Sequence, residues 1–175
     1  MKYIKTYESK IDWNVVLHDG TWTHKEIGPK NKIGDRRYYL NFEKIKLALE
    51  NGADVEFCGT LYWSTRNNYF EIVKLCLEHG ANVNYQDNDC KWTPLMSASN
   101  DGYVSIAKIL IDYDADPFIG NFQGYTTMDV ITPNSKLQNA SFGYEHVSKT
   151  IQKSRDEIRK YVEKSIHVVS KKYNL

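Results

Sequence analysis

Few side chains of this sequence have the types and spacing that catalysis or metal binding requires. The five histidines and three cysteines form no H-E-x-x-H pair and no C-x-x-C pair, the spacings typical of zinc sites. Asp87, Asn88 and Asp89 resemble the start of a calcium loop, but Trp92 occupies the sixth position, where that loop needs glycine. The sequence also contains no G-x-S-x-G motif and no glycine-rich phosphate loop. We therefore expect a chain that is not an enzyme and binds no metal or cofactor.

One alternative is an enzyme or sensor built from the first 40 residues. This segment contains Trp13 and Trp22, with His18 and His24 nearby in the sequence. A pocket that holds both imidazoles would support this alternative, because acid–base chemistry needs the two groups within reach of one substrate. A structure that holds His18 and His24 far apart would exclude this alternative.

Length and charge exclude other classes of protein. The chain has 175 residues and a net charge of +1, which argues against binding nucleic acid or membrane through bulk charge. The charge is unevenly distributed: +3 over residues 1–40, −6 over 41–144 and +4 over 145–175. No apolar run approaches the roughly 18 residues of a membrane helix, so we expect no membrane partner. The three cysteines are widely spaced, without a pairing pattern, and indicate a reducing, cytoplasmic location.

A repeated amphipathic segment organises the middle of the chain. Its three copies predict three short helices and cover residues 42–55, 70–83 and 104–117. The first two copies have Gly52 and Gly80 just past the last turn, where a residue in the left-handed conformation closes a helix. The third copy has Asp114 at this position, and aspartate tolerates that conformation less well.

A second type of helix precedes the third copy. Thr93 is a typical N-cap and Pro94 a typical first helical residue, because the missing N–H of proline needs no partner there. Small residues follow, which allow close packing against neighbouring helices, and Gly102 ends the segment. The pattern predicts a helix from Pro94 to about Gly102.

Alternating helices at a period of about 33 residues resemble the ankyrin repeat family. Residues 93–117 match its T-P-L-H…G…I-V-K-L-L…G-A-D pattern, with Met96 in place of the His. Residues 60–84 match mainly in the second helix, with Asn68 in place of a Gly, and a fourth copy starts at Asn121. The resemblance covers roughly residues 40–130. It implies an all-α helical solenoid of about three to four repeats with loop fingers and non-repeat N- and C-terminal caps.

We accordingly divide the chain into three parts. Residues 1–40 are expected to form an N-terminal cap segment, in which Asp19-Gly20 between two apolar runs suggests a β-hairpin. Residues 41–135 hold the ankyrin-like repeats, and residues 136–175 the C-terminal capping helix.

The expected C-terminal helix carries one apolar stripe. The stripe residues are Val147, Ile151, Ile158, Val162, Ile166, Val169 and Tyr173. Basic residues are expected on the opposite side, namely Lys149, Lys153, Arg155, Arg159, Lys160 and Lys164. The stripe predicts a helix that covers the last repeat, and the alternative is a helix that pairs with a partner or a second copy in a homodimer.

The resemblance implies a protein–protein interaction module, in which loop tips and the exposed side of each first helix hold the partner. Mapping these positions gives the expected partner-binding residues Glu56, Arg66, Asn67, Tyr85, Asp89, Trp92, Asn100, Asp101, Phe122, Gln123 and Tyr125. The aromatic members are expected to be exposed anchors, with gap filling as the alternative.

Two further functional readings accompany this one. Residues 1–9 are similar to the starts of small ankyrin proteins from phages and environmental bacteria, which suggests a viral protein that inhibits or redirects a host factor. The alternative to protein binding is association with nucleic acid through Lys149, Lys153, Arg159 and Lys160. An affinity that falls steeply with salt concentration would support this alternative.

Overall fold

The computed structural model describes Asp12, Asn14, Leu17, residues 41–132 and residues 149–173. Residues 41–132 and 149–173 form seven α-helices and one 3-10 turn, Phe57–Gly59. The helices are α1 (Phe42–Glu50), α2 (Thr60–Arg66), α3 (Phe70–Glu78), α4 (Pro94–Asp101), α5 (Val104–Asp112), α6 (Thr127–Ile131) and α7 (Lys149–Tyr173). The described part contains no strand, in agreement with the all-α prediction.

The chain forms two compact units, and the first is Met1–Cys58. Within it, the Lys44 N–H donates to Asn41 Oδ1 at 3.0 Å and starts α1. Asn14 and Leu17 are helical, which differs from the hairpin expected around Asp19-Gly20. A helix is favoured at these two positions because Asp12 Oδ1 accepts the Asn14 N–H at 3.0 Å, as an N-cap does. The rest of the proposed hairpin lies outside the described residues.

The second unit is Gly59–Leu175, and its inner helices start where the sequence predicts. Thr93 Oγ1 accepts the Met96 N–H at 3.2 Å, and Gly102 ends α4 in the left-handed conformation with φ +74°. Asn68, with φ +60°, holds the equivalent place after α2. Thr126 and Asp129 form a capping box at the start of α6.

Helix pairs stack in this unit as the resemblance to ankyrin repeats implies. α2 packs on α3 and α4 on α5 within each pair, while α2 also contacts α4 and α3 contacts α5 across pairs. Leu95 and Met96 of α4 and Leu110 of α5 are fully buried. Each such side chain contributes about 1.5–3 kcal/mol by leaving water. Every residue of α4 from Pro94 to Ser99 is buried, so α4 lies at the centre of this unit.

The last helix covers the stack, packing against α4, α5 and α6. Ile158 and Val162 of the predicted apolar stripe are fully buried, and Ile151 is half-buried. Gly102 permits this close approach, because a Cβ there would lie 3.1 Å from the Ser154 Cβ. Val147 lies outside the described residues.

Arg155 is the exception to the predicted basic face of α7. It is only 6% exposed, and its Nε and Nη2 donate to the Asn100 carbonyl oxygen at 3.1 and 2.7 Å. Nη2 also donates to Asn100 Oδ1 at 2.7 Å. Arg155 fills the seven-residue gap in the stripe between Ile151 and Ile158, so it faces the stack by position. The expectation that it faces water was wrong.

Two polar contacts tie the exposed margin of α7 to α5. Lys108 Nζ and Glu157 Oε1 form an ion pair at 2.6 Å, and the Tyr161 hydroxyl donates to Asp112 Oδ1 at 2.7 Å. Pairs this exposed contribute little to stability. The buried contacts of Ile158, Val162 and Arg155 therefore hold α7 in place.

Arg155→Met should lower the free energy of unfolding by about 2 kcal/mol, because methionine keeps the packing volume but leaves the Asn100 oxygens without their donor. Lys153→Met, on the exposed face of the same helix, should change it by less than about 0.5 kcal/mol. Urea unfolding followed by far-UV circular dichroism measures both. Equal effects of the two variants would show that the guanidinium does not secure α7.

The ends of α1, α3 and α5 offer a second test, of backbone strain. Gly52 and Gly80 have φ +87° and +80°, and Asp114 holds the same place after α5 with φ +63°. Asp114→Gly should stabilise the protein by about 0.5–1 kcal/mol by relieving this strain. Gly80→Asp should destabilise it by a similar amount, since a Cβ at Gly80 meets nothing within 4 Å and only strain is added. A loss of stability in Asp114→Gly would contradict this explanation.

Candidate functional site

Two loop fingers of the second unit form the candidate site. Finger A comprises residues 82–92 and finger B residues 116–125. Each begins with an Asx turn, in which the Asn84 N–H donates to Asn82 Oδ1 at 3.0 Å and the Phe118 N–H to Asp116 Oδ1 at 2.8 Å. The Asp116 N–H also donates to Asn84 Oδ1 at 2.8 Å. The bases of the two fingers are therefore joined directly.

One side chain shapes each finger tip. The buried carboxylate of Asp87 accepts the N–H groups of Asp89 and Cys90, each at 3.1 Å, and that of Trp92. The pattern that resembled a calcium loop is thus a hydrogen-bonded turn.

The tip of finger B repeats this arrangement with an amide. Asn121 Oδ1 accepts the N–H groups of Gln123 at 2.9 Å and of Tyr125 at 3.0 Å. The Asn121 N–H donates to the Tyr125 carbonyl oxygen at 2.9 Å. Asp87 and Asn121 therefore each bind several backbone N–H groups of their own tip.

Further bonds lock the two tips to one another. Gln86 Nε2 donates to the carbonyl oxygens of Lys91 at 2.9 Å and Gly120 at 3.0 Å. The Phe122 N–H donates to the Cys90 carbonyl oxygen at 3.3 Å. A surface fixed in this way loses little conformational entropy when a partner binds.

Finger A contains one residue more than finger B between its shaping side chain and its last aromatic residue. Lys91 precedes Trp92 as Gly124 precedes Tyr125, and both have left-handed φ angles, +59° and +79°. Lys91 Nζ lies 5.7 Å from the centroid of the Phe122 ring, within cation–π range. Lys91 is not among the binding residues predicted from the sequence, although the extra residue in finger A indicates that its tip differs from that of finger B.

The structure divides the predicted finger residues into two groups. Phe122 is 68% exposed, and Asp89 and Gln123 are exposed beside it. Trp92 and Tyr125, in contrast, are half-buried and pack against the buried pair Met96 and Val130. The exposure expected of Trp92 and Tyr125 is therefore not observed, because the residue before each capping threonine fills space over the inner helices.

Tyr85 also has a packing role. Its ring centroid lies 6.4 Å from that of Tyr62, and a Cβ at Gly59 would lie 3.1 Å from the Tyr85 hydroxyl. Glu56 is exposed in the first unit, where its N–H donates to Asp54 Oδ1 at 3.0 Å. Neither Tyr85 nor Glu56 is therefore one of the exposed tip residues.

The remaining predicted residues lie at the ends of the inner helices. At the end of α2, exposed Arg66 donates to the Tyr62 hydroxyl at 3.3 Å and lies over the Trp63 ring at 5.9 Å. Asn67 is half-buried, and its Nδ2 donates to the Trp63 carbonyl oxygen at 2.8 Å.

At the end of α4, two predicted binding residues are engaged within the unit. The two oxygens of Asn100 accept hydrogen bonds from Arg155 of α7. Asn100 Nδ2 donates to Asp101 Oδ1 at 2.8 Å. Burial raises the pKa of Asp101, and the Asn100 hydrogen bond and the positive charges of Arg66 and Arg155 oppose this shift. The docking of α7 therefore uses the oxygens of Asn100 that we expected to face a partner.

No three His, Cys, Asp or Glu side chains among the described residues are placed to hold a metal ion. None of the helices among these residues combines the length and the apolar character needed to cross a bilayer. Trp13, His18, Trp22 and His24, the basis of the enzyme alternative, lie outside the described residues.

Asp101→Asn should be more stable than the wild type at pH 7, and the difference should shrink as the pH falls to about 4. Because the pKa of Asp101 is raised in the folded state, the folded chain binds more protons than the unfolded chain in the carboxyl range. The wild type therefore loses stability as the pH rises through that range, and the amide does not. Urea unfolding at pH 4 and pH 7 measures this. A variant less stable than the wild type at pH 7 would contradict it.

Comparison with known proteins agrees with this geometry. A family model described as ankyrin repeats (3 copies) matches residues 37–121. The palmitoyltransferase AKR1 of Lachancea kluyveri is 30% identical over 101 residues, 53% of this chain and 14% of that protein. The regulatory protein SWI6 of Saccharomyces cerevisiae is 42% identical over 71 residues, 41% of this chain and 9% of that protein. The chain thus spans about a seventh of the first relative and less of the second.

The family match covers α1 to α5 and the first part of finger B, and the stacked helix pairs with joined fingers have the form that this family implies. Residues 37–121 are ankyrin repeats.

Proposed function

We propose that the chain is a non-catalytic module that binds a partner protein on its finger surface. We define the finger surface as the exposed tip residues Asn88, Asp89, Cys90, Phe122 and Gln123. The observation that carries the proposal is Phe122, a large apolar side chain 68% exposed on a tip that hydrogen bonds hold in place. Exposed aromatic residues on rigid supports are the usual anchors of protein interfaces.

The inner helices contribute little to the proposed surface. Pro94 to Ser99 of α4 are all buried, and Trp92 and Tyr125 pack over the neighbouring core. Of the predicted inner-helix positions, only Arg66 is exposed. The proposal therefore centres on Phe122 rather than on the full set of eleven residues.

The match to ankyrin repeats supports a binding role. Both matches are confined to a small part of each relative, so the transferase named in the first says nothing about catalysis by this chain. Ankyrin repeats mediate protein–protein interactions, and the same role is proposed here for the finger surface.

The proposal extends to the location of the module and the class of its partner. We place the module in the cytoplasm on the basis of its cysteines, and we propose a host protein as partner from the resemblance of residues 1–9 to small phage proteins. Ile158 and Val162 of the apolar stripe of α7 are buried within one unit, so we do not propose a homodimer through this stripe.

Phe122→Ala should weaken capture of the partner by at least tenfold while leaving the free energy of unfolding within about 0.5 kcal/mol of the wild type. The control is Tyr113→Ala, which removes another exposed aromatic residue, at the end of α5. Affinity capture from a host lysate, quantified by mass spectrometry, compares the three proteins. Equal capture by wild type and Phe122→Ala would exclude the finger surface as the binding site.

A further inference from the structure

The solvent face of α7 carries four lysines in a line. We define the lysine stripe as Lys149, Lys153, Lys160 and Lys164, all of which are exposed. At about 100° per residue, the spacings of four, seven and four residues place them within an arc of about 60°. At 1.5 Å per residue the line extends over about 22 Å. The stripe is therefore a narrow cationic ridge along the helix.

The packing of α7 fixes the direction of this ridge. Arg155, Ile158 and Val162 are buried against the repeats, and they lie on the opposite side of the helix from the stripe by the same helical geometry. The lysines are thus held toward water on a helix that cannot rotate without breaking its packing. Binding a ligand there requires no reorganisation of the backbone.

The ion pairs of α7 do not neutralise the stripe. Among the described residues, Glu157 pairs with Lys108 and Asp156 with Arg159. The hydrogen bond and charge of Lys108 lower the pKa of Glu157, and Lys153 and Lys160 add to this effect through space. Arg159, which the sequence placed in the basic set, is half-buried and paired. Lys164 takes its place in the ridge.

The character of the rest of this face selects the class of ligand. The exposed residues of α7 up to His167 are all polar, namely Lys149, Thr150, Lys153, Glu157, Lys160, Glu163, Lys164 and His167. A stable protein interface needs a buried apolar centre, and a helix lying in a membrane needs an apolar face to insert. This face offers neither. A phosphate backbone needs only positive charge.

We infer that the lysine stripe is a binding site for the phosphate backbone of a nucleic acid, independent of the finger surface. The stripe contains no arginine and no aromatic residue, so it lacks the forked donors and stacking surfaces that read bases. Binding is therefore independent of base sequence. Residues 41–144 carry a net charge of −6 and repel phosphate, so the contact with nucleic acid is confined to α7. A local site of this kind is compatible with a net charge of only +1 for the whole chain.

Fluorescence anisotropy of a labelled 20-base-pair DNA duplex, titrated with the full chain between 50 and 200 mM KCl, tests the site. Four phosphate contacts predict a slope of about −3.6 in the logarithm of the association constant against the logarithm of salt. The triple variant Lys153→Gln, Lys160→Gln, Lys164→Gln should reduce this to about −0.9, with affinity at 50 mM KCl at least tenfold lower. Circular dichroism confirms that the variant is folded.

A matched control removes the same charge elsewhere. Lys44, Lys46 and Lys74 are exposed on α1 and α3, and their joint change to Gln should leave affinity and slope near the wild-type values. Phe122→Ala should also bind DNA normally, which separates this test from that of the finger surface. Equal losses in both triple variants, absence of duplex binding at 50 mM KCl, or binding to phosphatidylserine vesicles alone would overturn the inference.

Discussion

The buried hydrogen bonds from Arg155 to Asn100 secure the end of the repeat stack. A helix pair cannot bury its apolar face by itself, so the last pair needs a cover. α7 supplies this cover with Ile158 and Val162, and the guanidinium satisfies the oxygens that end α4. Gly102 lets the two helices approach. The same contact holds the lysine stripe toward water, so one interaction closes the core and directs the cationic face.

The fingers illustrate how a surface is made rigid without secondary structure. Asp87 and Asn121 each bind several backbone N–H groups, and Gln86 joins the two tips. Lys91 adopts a left-handed conformation that costs about 1 kcal/mol. This strained position brings its ammonium to the Phe122 ring. The repeat framework thus supports local strain at the proposed binding surface.

Local signals predicted the helices well, whereas exposure depended on neighbours distant in the sequence. Thr93, Pro94 and Gly102 define α4 through interactions within a few residues, so its bounds were predictable. The partial burial of Trp92 depends on Met96 and Val130, whose proximity is set by the stacking of α4 and α6. As a charged residue, Arg155 is expected to face solvent. Only the wide spacing between Ile151 and Ile158 in the apolar stripe indicated that it faces the repeats. The helical positions Asn14 and Leu17 follow from a side-chain bond of Asp12, which competed with a hairpin signal.

The hydrogen bonds of the finger tips hold them rigid before any partner binds, and amide hydrogen exchange measured by NMR tests this rigidity most directly. The N–H groups of Asp89, Cys90, Gln123 and Tyr125 are bound by Asp87 or Asn121. We expect these four amides to exchange at least about a hundredfold more slowly than the same residues in an unfolded peptide. Exchange at the unfolded rate would contradict a pre-organised finger surface.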